Sequence, residues 1–362
     1  MSVYNGEKYL SLTLRHVLNQ TYKNFEFLIV DDCSTDRSVE MIQSLRDPRI
    51  RLIRNEVNQG QTKSLNIGLK LACGEYVARM DADDLAFPQW LQKQLEFMDH
   101  YPQCVVGSNH AVIIDAQGKM KKTLRPPTRR EDIFLRAITT SPINHGGCFM
   151  RRDIVLKEGG YNESFRVAAD YDLWSRLLRK GYSLMTLPEI ATAIRVHEGS
   201  VSITERGRKD FEEMSLIMEE NIRAFTTVAE ASQKARIIWR LIYTPEALTK
   251  EVFEKAVQSL EEVYAHCKPQ FSISSEFAQS VCREKISVVY IKRIFFFINT
   301  NENVQVHYLA REYLRDYGIN HIFLALWFLS FLGKWAIGFL PSFYEKFSMW
   351  RTGAPATIRW RI

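Results

Sequence analysis

The strongest constraint in this chain is a repeated device: a short apolar run that ends in aspartates. FEFLIV (25–30) runs into Asp31-Asp32, and EYVARM (75–80) runs into Asp81, Asp83 and Asp84. Apolar runs of this length read as buried strands. Carboxylates crowded at the mouth of a sheet repel one another unless something positive sits between them. Either a metal does so, or each cluster is an acidic turn that caps the next helix.

Helical spacings separate the runs. Leu10, Leu14, Val17 and Leu18 predict a helix over 7–20, and Ser34, Thr35 or Asp36 can cap a second helix ending near Leu45. IRLI (50–53) is a further strand, NQG (58–60) a turn, and Leu65, Leu69 and Ala72 mark a third helix. Pro88 opens a fourth helix, with Leu91, Leu95 and Met98 on one face. Strands alternating with helices predict a mostly parallel, doubly wound sheet, in which ligands bind beyond the carboxyl ends of the strands. Both aspartate clusters lie at such ends and should face one crevice.

After Pro102 the pieces shorten. CVVGS and HAVII read as two strands, REDIFLRAI as a helix, GCFMR as a strand, DYDLWSRLLRKG (170–181) as a helix, and IATAIRV (190–196) as a strand. From about residue 207 the chain is helical, with Phe211, Met214, Met218, Ile222 and Phe225 on one stripe. The reading divides the chain into 1–205, a helical region 206–320, and a tail 321–362.

In that tail, IFLALWFLSFLGKWAIGFL (322–340) is broken by one charge, Lys334, and spans about 28 Å as a helix. Trp327, Trp335 and Trp350 stand near Lys346, Arg351, Arg359 and Arg361. This composition suits a helix lying in a membrane interface, with a partner helix or a short span as alternatives.

Composition excludes little. A net charge of +6 over 362 residues suits an anionic ligand or an acidic membrane surface and does not announce nucleic-acid binding. The six cysteines form neither CxxC pairs nor zinc spacings and read as reduced thiols of a cytosolic protein. MSVYNGEKYL has no secretory character, and only four residues precede Asn5-Gly6. The first strand is therefore a stub, or Met1 is an internal methionine; the second is the expectation.

Seven stretches then carry a resemblance: SVYNGEKYL, FEFLIVDDCSTDRS, RNEVNQGQTKSLNIGL, GEYVARMDADD, GGCFMRRD, GGYNESFRVAADYDLW and RVHEGSVS, in that order over residues 1–205. In this order they resemble the inverting family 2 glycosyltransferases with a GT-A fold, especially those that build bacterial surface polysaccharides.

The resemblance implies a GT-A doubly wound mixed sheet followed by a helical region. It implies Tyr4 beside the base of a nucleotide, Asp31 with Asp32 on base and ribose, and Lys63 and Asn66 at the nucleotide's edge. Asp81 and Asp83 match the DxD motif, with Asp83 the direct ligand of Mn²⁺ or Mg²⁺. Asp170 matches the catalytic base, and Arg195, His197 and Ser200 the neighbourhood of the diphosphate. His145 reads as a satisfied loop histidine or an acceptor contact.

The implied partners are a nucleotide-sugar donor, a UDP-sugar in the first place, and a lipid-linked or glycan acceptor. The implied location is cytoplasmic, on the inner face of the cell membrane. Two departures stand out: Ser2 occupies a place the family gives to proline, and Ala169 replaces the glutamate of its Glu-Asp pair. A docking subunit that binds nucleotide-sugar with little turnover is the alternative. A phosphohydrolase using DADD fits poorly, because its nucleophile belongs after the first strand.

Overall fold

The computed structural model describes residues 1–200, 208–244, 248–268, 273–299, 309, 310 and 313. The chain forms two compact units, Met1–Thr226 and Thr227–Ile362.

The first unit opens with three parallel strands in the order β1 (Ser2–Val3), β2 (Phe27–Asp31) and β3 (Ile50–Arg54). Every residue of β2 is buried, as an apolar run covered on both faces must be. The register pairs Val3 with Asp31 and Asp31 with Arg54, which sets Asp31 at the carboxyl edge. Helices α1 (Glu7–Leu18), α2 (Ser38–Ser44) and α3 (Gln61–Leu71) connect these strands and the next.

The second sheet is mixed rather than mostly parallel. Its order is β4 (Tyr76–Ala78), β8 (Phe149–Arg151), β6 (Cys104–Ile114), β9 (Ser183–Arg195) and β5 (Leu85–Ala86), with β7 (Met120–Leu124) on β6. Among the described residues, its one parallel pair is β6 with β9. CVVGS and HAVII are one strand. The strand read as 190–196 begins at Ser183, because β9 passes Pro188 in an irregularity. There Asn109 faces Leu187 and His110 faces Ile190, so the proline, which has no N–H to give, stays out of the ladder.

Helices α4 (Trp90–His100), α5 (Arg130–Ala137), α6 (Arg152–Lys157), α7 (Ala169–Arg179) and α8 (Arg208–Phe225) complete the unit. Leu10, Leu14, Ile29, Met80, Trp90, Met98 and Phe149 form one core. Helix α7 stops where expected: Gly181 takes φ +85°, Gly181 N–H donates to Leu178 O and Tyr182 N–H to Leu177 O, a Schellman closure. Met214, Met218, Ile222 and Phe225 are buried along α8. Asn221 ties α8 down by donating to Ala137 O (2.7 Å) and Ser175 Oγ (2.8 Å).

The second unit contains α9 (Ala231–Tyr243), α10 (Lys250–Ala265) and α11 (Ser275–Asn299). Thr249 Oγ1 caps α10, and the buried Arg293 donates to Leu248 O while its guanidinium lies 4.3 Å from the centre of the Phe253 ring. The six cysteines are free thiols. Among the described residues no helix is long and apolar enough to cross a membrane. The tail read as interfacial, 321–362, lies outside the described residues.

Candidate active site

The acidic loop between β4 and β5 is organised by a residue that the motif reading passed over. Arg79, buried, makes a two-pronged ion pair with Asp81 through both terminal nitrogens. Burial opposes its charge, yet Asp81, followed by Tyr161, Cys148 and Asp84, holds the guanidinium above its ordinary pKa. Gln61 Nε2 adds a hydrogen bond to Asp81 Oδ1 at 3.1 Å. Asp81 is thus neutralised from within the protein.

Asp83 is not. Its Oδ2 lies 3.0 Å from His197 Nε2. His197 Nδ1 accepts from Gly199 N–H at 3.1 Å, which leaves Nε2 as the nitrogen that donates to Asp83. Ser200 holds this turn, its Oγ accepting from His197 N–H at 3.0 Å. Burial, then the charge of Asp81, push the Asp83 carboxyl above its usual range, with His197 acting the other way.

Arg195 serves as a brace. Its Nε donates to Asp83 O (2.9 Å), its Nη1 to Asp115 O (3.1 Å), and its guanidinium covers the Tyr9 ring at 4.6 Å. Its N–H donates to Asp84 Oδ1 at 2.8 Å, while Asp84 Oδ2 is buried with no partner. Asp84 does not cap the following helix, whose N-cap is Gln89.

The donor set fits a divalent cation that brings ligands with it. Among the described residues no group of three or more His, Cys, Asp and Glu side chains is arranged to hold an ion alone. One carboxylate, Asp83, is paired with an imidazole N–H rather than with an arginine, and beside it Asp84 keeps one buried oxygen without a partner. Carboxylates suit Mn²⁺ and Mg²⁺, and phosphate oxygens and water complete such shells.

Asp170 sits at the second position of α7, whose N-cap is Ala168, so its carboxylate is not consumed as a cap. Neither is that of Asp172, which is buried and paired with Arg176 at 2.8 Å. Ser141 Oγ donates to Asp170 Oδ2 at 3.1 Å. Burial raises the Asp170 pKa, opposed by the Tyr171 N–H, Ser141 and the charge of Arg79. Arg79 therefore acts on both the acidic loop and Asp170.

The turn that launches α7 is held by Glu213 of α8. Its carboxylate accepts from the N–H groups of Arg166 (2.8 Å), Val167 (2.8 Å) and Ala168 (2.9 Å). Ala169, where the family pattern has glutamate, is buried at the first helical position. His145 Nε2 lies 2.8 Å from the Tyr161 hydroxyl, and burial followed by Arg79 drives its pKa well down, so it stays neutral.

The nucleotide-side residues divide. Tyr4 is 52% exposed and Lys63 is exposed. Asp31 accepts from Ser34 N–H at 3.2 Å through Oδ2, but its Oδ1 is buried and unpartnered. Asn5 and Cys33 both hold positive φ (49° and 65°), and Asn5 Oδ1 accepts from Thr35 N–H at 2.8 Å, knitting the two loops together.

Asp32 is spent on the NQG loop, accepting from Asn55 Nδ2 (2.7 Å), Gln59 N–H (2.9 Å) and Gly60 N–H (2.8 Å). Asn66 faces inward, donating to Tyr161 O (2.8 Å) and Glu163 Oε1 (2.9 Å) and accepting from Tyr161 N–H (2.9 Å).

Comparison with known proteins agrees with this geometry. The model of the family "Glycosyl transferase family 2" matches residues 1–160. An uncharacterized glycosyltransferase of Haemophilus influenzae is 33% identical over 231 residues, 60% of this chain and 71% of that protein. The Escherichia coli UDP-Glc:alpha-D-GlcNAc-diphosphoundecaprenol beta-1,3-glucosyltransferase WfaP is 29% identical over 265 residues, 70% of this chain and 94% of that one. Among solved structures, the mannosyltransferase PcManGT of Pyrobaculum calidifontis, in complex with GDP-Man and Mn²⁺, covers 81% of this chain and 85% of its own. It superposes at a TM-score of 0.50 with 17% identity, a likeness of fold. With the mixed sheet, the aspartate loop and these relatives together, the chain belongs to the family 2 glycosyltransferases and has their GT-A fold.

Proposed function

We propose that the protein is a metal-dependent, inverting transferase that moves a sugar from a nucleotide-diphospho-sugar to a hydroxyl of a lipid-linked or polysaccharide acceptor. The observation that carries this reading is the separation of tasks around Arg79. Asp81 is neutralised, Asp83 is turned to His197, and the buried Asp170 accepts from Ser141 rather than from a cation, with its pKa raised by burial.

Tyr4 and Asp31 would take the nucleoside, Asp31 Oδ1 offering an unused acceptor to a base N–H. Lys63, exposed at the start of α3, would meet the nucleotide's edge. Asp32, Asn66, Arg195 and Ser200 support the site by holding its loops. Asp83, steadied by the His197 N–H, would hold Mn²⁺ or Mg²⁺, which when bound would offset the charge of the departing diphosphate. Asp170 takes the proton from the acceptor hydroxyl as that oxygen bonds to the anomeric carbon from the face opposite the breaking bond to the diphosphate. One base and one in-line displacement invert the configuration.

The Mn²⁺ held in the complex of the Pyrobaculum calidifontis mannosyltransferase supports metal use, and the name of WfaP supports a UDP-sugar and a diphosphoundecaprenol-linked acceptor. Such an acceptor is lipid-borne, which supports work at the inner face of the cell membrane. The test is transfer itself: UDP-sugars, Mn²⁺ and a synthetic polyprenyl-diphosphate-sugar acceptor, with the product's anomeric configuration read by NMR. Inverted product supports the reading, and retained configuration contradicts it. Ala169 favours the docking-subunit alternative, for which nucleotide binding without any transfer is the signature.

A further inference from the structure

A local excess of positive charge runs from the turn between β6 and β7 to the start of α5. The stretch 115–130, DAQGKMKKTLRPPTRR, carries six lysines and arginines against one aspartate, while the whole chain has a net charge of only +6. The turn between β6 and β7 is tightly made. Asp115 Oδ1 accepts from the N–H groups of Gln117 (3.1 Å) and Lys119 (2.8 Å), and Gly118 takes φ +84°.

The ladder changes register between Ile113 and Ile114, and the extra residue, Lys121, folds back to pair with Asp115 at 2.9 Å. Lys119, Lys122 and Arg125 remain exposed, and between them stands Met120, 47% exposed. Among the described residues β7 pairs with β6 alone. The hairpin is also joined to the site: Arg195 reaches Asp115 O with Nη1 and Asp83 O with Nε.

Lysines on an edge strand discourage pairing with other strands, which accounts for Lys119 and Lys122. It accounts for neither Arg125, beyond the strand, nor the bare Met120. An acidic polymer would engage the charges and leave the methionine in water. A bilayer with anionic headgroups engages both.

We propose that the β6–β7 hairpin docks the protein on an anionic lipid surface, with Lys119, Lys122 and Arg125 on headgroup phosphates and Met120 among the headgroups. The proposal rests on the reading of the acceptor as lipid-borne. Through Arg195, it brings the mouth of the acidic loop to the surface that carries that acceptor.

The test is co-sedimentation of the full chain with phosphatidylcholine vesicles, with and without phosphatidylglycerol. The wild type should bind the anionic vesicles and release as salt rises. The triple variant Lys119→Gln/Lys122→Gln/Arg125→Gln should lose about 100-fold in partitioning, and Met120→Ser should weaken binding without changing its salt dependence. Binding of the triple variant equal to wild type would overturn the proposal, as would equal binding to neutral vesicles. So would binding of the wild type to an anionic polysaccharide in preference to the vesicles. Thermal shifts with UDP, GDP and dTDP, each with Mn²⁺, are read on the same proteins. If the wild type shows none with any of them, the transferase reading fails independently of the vesicle result.

Discussion

His197 Nε2 lies 3.0 Å from Asp83 Oδ2 across 114 residues of sequence, closing the acidic loop against the strand-end turn that follows β9. The pair is the part of the site where a carboxylate meets an imidazole rather than an arginine. His197→Asn, which keeps a polar group but not the same N–H bond to Asp83, should weaken Mn²⁺ binding in the presence of UDP about 10- to 100-fold, the range typical when a partner of a metal ligand is lost. Titration calorimetry measures this directly, and an unchanged affinity would detach His197 from the metal.

Asp170→Asn should leave nucleotide binding intact and lower kcat by roughly 10²–10⁴, the usual contribution of a positioned base. Because burial raises the Asp170 pKa, the acid limb of the wild-type kcat profile should lie above the ordinary carboxylate range. The sign for stability follows from linkage. A carboxyl whose folded pKa is raised contributes stability fully present below its unfolded pKa, and that stability is lost as pH rises through the folded value. Asp170→Asn should therefore be more stable than wild type at neutral pH, with the difference vanishing in acid. Melting curves across pH check it.

Glu213→Ala should strand three N–H groups at the entrance to α7, at a cost of about 1–3 kcal/mol. Transfer should fall while UDP binding persists, since the loop feeds Asp170 and not the nucleotide. Glu213→Gln, which retains an acceptor oxygen, should recover part of the loss. A Glu213→Ala enzyme with normal kcat would mean that the turn stands without its anchor.

Asn66→Ala separates a structural from a ligand-binding role. It removes the hydrogen bonds that hold both the N–H and the carbonyl of Tyr161 and should destabilise the protein by about 1–3 kcal/mol. Nucleotide affinity of the folded molecules should stay the same. Lost affinity at unchanged melting temperature would return Asn66 to the donor pocket.

What the sequence disclosed, and what it hid, follows from range. Apolar runs ending in aspartate revealed β2, β4 and the acidic loops at their ends because strand, edge and carboxylate are contiguous in the chain. The same local reading split β6 in two and lost the first half of β9, where Pro188 interrupts the apolar pattern that a long, irregular pairing tolerates. Arg79 carried a faint signal, a cation in an otherwise apolar strand run two residues before Asp81. Glu213 carried none: its three partners lie 45 to 47 residues away and are backbone groups. Asp32 and Asn66 illustrate the converse. Motif position suggested ligand contact, whereas their hydrogen bonds run to the NQG loop and to Tyr161.

The most direct test of the metal-dependent site is thermal stability against UDP, GDP and dTDP, with and without Mn²⁺, for wild type and Asp83→Ala. A ligand bound only by the folded protein raises the midpoint by mass action, by about 2.7 kcal/mol of stability at a hundred times Kd. The expected result is a shift with one nucleotide that requires Mn²⁺ in the wild type and disappears in Asp83→Ala. A shift of equal size in Asp83→Ala, or one indifferent to metal, would contradict the assignment of Asp83 and the metal-dependent site built on it.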